Sequence, residues 1–229
     1  MIISHKHKFI FIKTIKTAGT SIEIALSKIC GPDDIVGPLS PEDEKYRNEL
    51  GYTGEQNYKF PFSTYTKKDI LKLLYYQHRL GFYQHTPAVE IMERISPDIW
   101  DEYYKFCFER NPFDKFISWY YWEKGDINYG NMLDFIKAGE ASGLSSFELY
   151  TIDCIPVVDS IYKFENLNRA INDINDKLNQ NGEIKLPPKK AKGNIRKDKR
   201  HYSKILNESE AEWISKIFAR ELAYFDYEY

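Results

Sequence analysis

Cysteine is scarce: Cys30, Cys107 and Cys154 are an odd set of three in 229 residues, with no CxxC spacing. That excludes a disulfide framework and gives no zinc-site pattern, and it predicts a reducing, cytoplasmic setting. Long apolar runs are missing too. The run Phe9-Ile10-Phe11-Ile12 falls far short of the roughly 18 residues that cross a bilayer, so no integral membrane protein is expected. The opening Met1-Ile2-Ile3-Ser4-His5-Lys6-His7-Lys8 is broken by charge where a secretory leader would be apolar. The sequon Asn207-Glu208-Ser209 therefore carries no meaning. Net charge is small, −2, which argues against a nucleic-acid partner, and no internal repeat is visible.

Hydrophobic residues make up 42% of the chain and aromatics 16%, enough to exclude disorder for most of it. At about 100–200 residues per domain, residues 1–229 read as one domain. Charge is uneven along it. Residues 185–204 carry +8, leaving −10 on the rest. Such a run is either a solvated loop or a seat for a polyanion.

The continuous apolar stretch 8–13 has the pattern of a strand buried on both faces. Small and hydroxyl residues follow, then a helical pattern that Cys30-Gly31-Pro32 ends. Residues 31–66, rich in Gly, Pro and acids, read as a long irregular loop, a lid or acceptor loop. Helices are predicted over 67–77, 87–95, 112–124, within 130–150, over 166–180 and 208–224. Strands are predicted over 81–84 and 103–109, with a strand pair in 155–164. Alternating strands and helices imply an α/β layered fold with a mostly parallel sheet.

The sharpest local signal lies between the first strand and the first helix: Lys13-Thr14-Ile15-Lys16-Thr17-Ala18-Gly19-Thr20-Ser21. Unpaired N–H groups and the dipole at a helix start form an anion site, to which hydroxyls and Lys16 add. An ordinary capped helix start is the plainer alternative. It is not a Walker A loop, because Lys16 precedes Gly19 instead of following the last glycine. A second strand-loop-helix unit reads Arg110-Asn111-Pro112-Phe113-Asp114-Lys115-Phe116-Ile117-Ser118. There Arg110 can fork two hydrogen bonds onto a phosphate, and Ser118 offers a hydroxyl.

These two motifs, in this order, resemble those of the cytosolic and Golgi sulfotransferases, particularly the carbohydrate-type family. The resemblance implies that Lys16, Thr17, Ala18, Gly19, Thr20 and Ser21 bind the 5′-phosphosulfate of 3′-phosphoadenosine 5′-phosphosulfate (PAPS), with Lys16 assisting the leaving phosphate. It implies that Arg110 and Ser118 bind the 3′-phosphate. His85-Thr86-Pro87-Ala88 is similar to the stretch that supplies the family's general base, a task imidazole suits near neutral pH. His78 is the next candidate; His5, His7 and His201 lie in charged stretches. Tyr162-Lys163-Phe164-Glu165-Asn166-Leu167 and Tyr224-Phe225-Asp226-Tyr227 resemble further family segments. The chain departs from Golgi members in its missing anchor and paired cysteines, and from cytosolic small-molecule members in lacking their Arg-Lys-Gly run, which Lys192-Gly193 matches only in part. Trp119-Tyr120-Tyr121-Trp122 reads as core or as a stacking surface for an adenine or a sugar.

The resulting expectation is a single P-loop-like three-layer α/β domain that moves the sulfuryl group of PAPS to a hydroxyl, that of a saccharide as the resemblance implies, with His85 and Lys16 catalytic. No metal, nucleic acid or membrane is expected to take part. The runner-up is an ATP- and Mg²⁺-dependent small-molecule kinase, against which stand the misplaced lysine and the strand 103–109 ending without Asp. A noncatalytic polyanion-binding module built on residues 185–204 is the third reading.

Overall fold

The computed structural model describes residues 1–189 and 195–229. In chain order the elements are β1 (Ile2–Ser4), β2 (Phe9–Phe11), α1 (Gly19–Ser27), β3 (Ile35–Val36), α2 (Pro41–Glu49), α3 (Lys67–Tyr76), α4 (Ala88–Arg94), α5 (Pro97–Glu102) and β4 (Tyr104–Glu109). Then come α6 (Pro112–Trp122), α7 (Gly125–Asn128), α8 (Met132–Lys137), β5 (Thr151–Ile152), β6 (Ile155–Pro156), β7 (Ser160–Lys163), α9 (Leu167–Lys177), α10 (Glu208–Ile217) and α11 (Ala219–Phe225).

The central sheet has the order β3-β1-β2-β4-β7. β2 pairs in parallel with β4, and β4 with β7, while β1 runs antiparallel to both β2 and β3. β1 alone therefore opposes the other four strands, and the sheet is mostly parallel as expected. Alternation along the buried strands divides the core. Phe9, Phe11, Phe106 and Phe108 face α1 and α9, meeting Ile22, Leu26, Ile171 and Ile174. Ile10, Ile12 and Cys107 face the other way, toward Ala88, Ile91 and Trp100 of α4 and α5 and Phe225 of α11. Helices thus cover both faces of the sheet. A third cluster joins α6, α8 and α10 beyond its edge, through Phe116, Phe135 and Ile214.

Several sequence expectations are corrected. Residues 31–66 are not an irregular loop: they hold β3, α2 and a 3₁₀ turn at Phe62–Thr64. α2 starts at a capping Ser40 with Pro41 and acids in its first turn, which is a complete helix-start signal. Residues 81–84 form no strand; Gly81 makes one isolated bridge to Lys59. The expected strand pair is a hairpin of β5 and β6, with β7 separate. The closing helix is two, α10 and α11, joined at Phe218. The strand at 103–109 and the helices near 112–124 and 166–180 lie close to where they were expected.

Phe106 occupies the middle of the sheet, fully buried, with ring centroids of Phe9, Phe11 and Tyr104 within 5.9 Å. Phe106→Ala is expected to lower stability by about 3–5 kcal/mol through lost burial and the cavity left behind. Urea unfolding followed by circular dichroism measures this, and a loss near zero would show that the sheet centre is not the core.

Candidate functional site

Parallel neighbours end on the same edge, so the loops after β2 and β4 open side by side, where open α/β sheets place their ligands. A cleft of about 850 Å³ lies there. Lys16, Ala18, Gly19, Thr20, Ser21, His85, Arg110 and Ser118 all line it. Thr17 does not: it is buried, and its hydroxyl is turned inward to Thr14 Oγ1 (2.8 Å) and the Thr14 carbonyl (3.2 Å). Trp119 and Trp122 line the cleft, whereas Tyr120 is core. His78 is exposed, with Nδ1 on the carbonyl of Tyr76.

The loop after β2 ends at α1, whose N-cap Ala18 has no side chain that could accept a hydrogen bond. Side chains cap α2, α3, α5, α6, α8 and α10, whereas α4, α7, α9 and α11, like α1, have no side-chain cap. The start of α1 thus has no capping side chain, and its residues Ala18, Gly19, Thr20 and Ser21 line the cleft, where a helix N-terminus favours an anion. Positive φ at Lys16 (+58°) and Ala18 (+60°) curls the preceding backbone into the kind of concavity that gathers N–H groups around an anion. The Lys16 ammonium stands 4.2 Å from the Trp122 ring centroid.

Gly19 is required by packing. A Cβ there would lie 2.7 Å from Cγ of Lys13, whose stem crosses it. Lys13 is almost wholly buried; its Nζ pairs with Glu23 Oε2 at 2.9 Å and donates to Gln84 Oε1 at 3.1 Å. Glu23 Oε1 also accepts from the Met1 amine, at 2.9 Å. Burial opposes ionisation of Glu23, but Lys13 and the amine outweigh it and hold the carboxyl below its usual range.

His85 Nδ1 lies 2.9 Å from the carbonyl of Lys13. A carbonyl only accepts, so Nδ1 carries the proton and Nε2 keeps its lone pair. Burial, aided by the Lys13 charge and opposed by that hydrogen bond, lowers the pKa of His85 from 6.5 to about 4. The imidazole is neutral at physiological pH, with one nitrogen ready to accept a proton.

Arg110 reaches back to the same loop, donating from Nη1 to the carbonyl of Lys16 at 3.0 Å and lying 4.3 Å from the Phe164 ring centroid. Its Nε donates to Asp114 Oδ2 at 2.8 Å, while Arg196 Nη1 holds Oδ1 of the same carboxylate at 2.5 Å. Burial works against ionising Asp114, yet the two guanidiniums prevail and depress its pKa. Lys189, Arg196 and Lys199 of the basic segment also line the cleft. Lys190, Lys192 and Gly193 lie outside the described residues.

Behind the site, Glu109 Oε1 accepts from the backbone N–H of Arg110 (2.9 Å) and from Lys115 Nζ (2.7 Å). Lys115 also donates to Ser146 Oγ (2.9 Å), which accepts from the N–H of Ile15 (3.1 Å). A buried ion pair thereby ties both loops together. Glu165 accepts from Asn111 N–H at 2.8 Å and from the Tyr227 hydroxyl at 3.0 Å, so two of the weaker sequence matches meet beside Arg110. Sequence reasoning gave no role of their own to Lys13, Glu23 or Lys115. The available signal was a charge set inside an apolar stretch: Lys13 closing a buried strand, Glu23 within Ile22-Glu23-Ile24, and Lys115 between Phe113 and Phe116.

A helix start without a side-chain cap, on a basic cleft at parallel strand ends, is the arrangement in which α/β proteins seat anions. The chain belongs to the sulfotransferase family, whose family model matches residues 1–228. Membership makes it a transferase of sulfuryl groups. An uncharacterized protein of Archaeoglobus fulgidus is 33% identical over 97 residues, covering 40% of this chain and 81% of that protein. No solved structure matches it. Among the described residues no cluster of three or more His, Cys, Asp or Glu side chains could hold a metal ion.

Glu109→Gln is expected to cost about 3–5 kcal/mol, because it strands the ammonium of Lys115, only 2% exposed, without a counter-charge. Adding Lys115→Met is expected to restore most of that loss. Urea titrations of both variants check it; an unchanged midpoint for Glu109→Gln would show that the pair contributes nothing.

Proposed function

We propose that the chain transfers the sulfuryl group of PAPS to a hydroxyl group, of a saccharide as the family resemblance implies. The observation that carries this reading is the two-sided use of one loop. The start of α1, which no side chain caps, lines the cleft, and the loop's Lys13 carbonyl holds His85 in the tautomer of a base. Anion and base thus share one wall of one cleft.

In this reading the phosphosulfate sits against Ala18, Gly19, Thr20 and Ser21, with Lys16 at the bridging oxygen. The acceptor oxygen attacks sulfur while its proton passes to Nε2 of His85. The bond from sulfur to the 5′-phosphate oxygen breaks, and the charge gained by that oxygen is met by Lys16 and the helix start. Arg110, Ser118 and Arg196 receive the 3′-phosphate, and Trp119, Trp122 and Phe164 offer ring faces to the purine. Two guanidiniums that already grip one carboxylate, Asp114, have the spacing to grip a phosphate. The test is transfer of radiolabelled sulfate from PAPS to a panel of oligosaccharides and phenols. It is paired with a thermal-shift comparison of 3′-phosphoadenosine 5′-phosphate against ATP with Mg²⁺. Stabilisation by ATP alone would overturn the proposal.

Because the folded pKa of His85 lies below its unfolded value, the unfolded chain binds the extra proton between pH 6.5 and about 4. The contribution of neutral His85 to stability is therefore complete above 6.5 and lost as pH falls toward 4. Catalysis is expected to follow the same group: the acid limb of kcat/KM falls near 4 in the free enzyme, well below an ordinary histidine. His85→Ala should cut turnover by about 10²–10⁴-fold with donor affinity nearly unchanged. Nitrogen NMR of the imidazole reads the titration directly, and a midpoint at 6.5 would contradict it.

Arg110 also braces the loop, so its donor role needs a cycle. Arg110→Ala should weaken binding of PAPS by about 10–100-fold, and binding of the analogue lacking the 3′-phosphate much less. Calorimetry on both ligands decides, equal losses showing that Arg110 serves the loop alone.

A further inference from the structure

Residues 61–79 form a lobe whose base, Phe60, Tyr65 and Leu80, packs into the core beside α4. The N–H of Phe60 donates to the Leu80 carbonyl and that of Phe82 to the Tyr58 carbonyl, each at 2.9 Å. A Cβ at Gly81 would lie 2.5 Å from the Tyr58 carbonyl oxygen, so the clasp tolerates only glycine there. The lobe carries α3, which touches the body along one narrow side. Asp69 is buried, closes a capping box with Thr66 and pairs with Arg94 of α4 at 2.8 Å; Leu73 is half-buried beside it.

Every other residue of α3 is exposed. Leu71 is 67% exposed, Leu74 69% and Tyr75 81%. At about 100° per residue, Ile70, Leu74, Leu71 and Tyr75 form one stripe opposite Asp69 and Leu73. Lys67 heads this stripe, and Lys68 and Lys72 border it. An amphipathic helix of a globular protein turns its apolar stripe inward; this one turns it out. A contiguous exposed apolar set of this kind marks a contact surface.

We propose that α3 is a docking helix for an anionic lipid surface. Aliphatic Ile70, Leu71 and Leu74 gain from leaving water, which a hydroxyl-rich polymer does not offer them. The charges around the stripe are all cationic. The helix's one acid, Asp69, is buried under Arg94, and the acids of the adjoining α4, Glu90 and Glu93, act on that same Arg94. A second copy seated on the stripe about a two-fold axis would bring lysines against lysines, with no exposed acid on α3 to meet them. Tyr75 closes the stripe with a ring suited to the headgroup level. No described helix is long and apolar enough to cross a membrane, so the contact is in the plane of the interface. It departs from the sequence reading, which expected no membrane partner. The clasp at Leu80 leads through Gly81-Phe82-Tyr83-Gln84 to His85, connecting the docked lobe to the cleft.

The experiment is vesicle flotation of the full chain, comparing phosphatidylcholine alone with phosphatidylcholine containing about one-third phosphatidylserine. Binding to the anionic vesicles only, weakening as salt shortens the screening length, is the expected result. Leu71→Ser with Leu74→Ser is expected to lower binding by at least about 10-fold, and Lys68→Gln or Lys72→Gln by about 5-fold each. Circular dichroism and melting temperature should not change, since these side chains are exposed. Sedimentation velocity runs beside it. A folded chain that floats with neither vesicle overturns the proposal, as does a dimer in solution that the Leu71/Leu74 double variant dissolves.

Discussion

The parallel pairing of β2 with β4 is the constraint on which the site depends. Its register sets Phe11 beside Phe106, and the ladder extends one step further, with Ile12 donating to the Phe106 carbonyl at 3.0 Å. Thr14 then donates its hydroxyl to the Phe108 carbonyl, so the loop leaves β2 still strapped to β4. Arg110 follows β4 directly and can therefore reach the Lys16 carbonyl. A slip of one residue would turn the phenylalanines to the wrong face and separate the two motifs. Packing of the sheet and assembly of the cleft are one event.

Electrostatics are organised around the same edge. The chain has a net charge of −2, yet Lys13, Lys16, Lys189, Lys199, Arg110 and Arg196 border one cleft. Field lines from such a cluster, in a cleft walled by Trp119, Trp122, Phe164 and Leu167, are concentrated on a bound anion. Three acids, Glu23 and Glu109 buried and Asp114 half-buried, are arranged so that this charge is held in place more than it is cancelled. Glu23 fixes Lys13 under the loop, Glu109 fixes Lys115 behind it, and Asp114 spaces Arg110 from Arg196. Each carboxylate compensates a cation whose desolvation would otherwise cost several kcal/mol.

How much of this was legible depends on the range of the interaction concerned. The strand-loop-helix units and the uncapped start at Ala18-Gly19 are local, and the residues alone pointed to them. His85 was reached only through the family resemblance of His85-Thr86-Pro87-Ala88, since a lone histidine carries no such signal by itself. α2 was hidden because its polar sequence has no apolar periodicity; only Ser40-Pro41 and the acids after it signal a helix start. β1 and β3, of three and two residues, are too short to show a period and exist because the sheet edge accepts them. Lys13 and Glu23 are ten positions apart and meet only when α1 folds back on β2. Arg196 and Asp114, separated by 82 positions, are further still from anything a sequence window could show.

The loop's unusual backbone follows from these long-range bonds. Left-handed conformations at Lys16 and Ala18, neither of them glycine, each cost on the order of 1–2 kcal/mol and persist only where surrounding structure over-determines them. Three bonds do so here: Arg110 on the Lys16 carbonyl, Ser146 on the Ile15 N–H, and the Thr14–Thr17 hydroxyl pair. Glycine at position 16 or 18 would relieve the strain but free the backbone to wander. With Lys and Ala there, the loop keeps its concave form only while β4 and α6 hold it. The inward Thr17 hydroxyl belongs to this bracing, so the motif divides by position. Thr14 and Thr17 hold the shape, Lys16 and the helix start from Ala18 onward line the cleft, and Gly19 makes room for the Lys13 stem whose carbonyl positions His85.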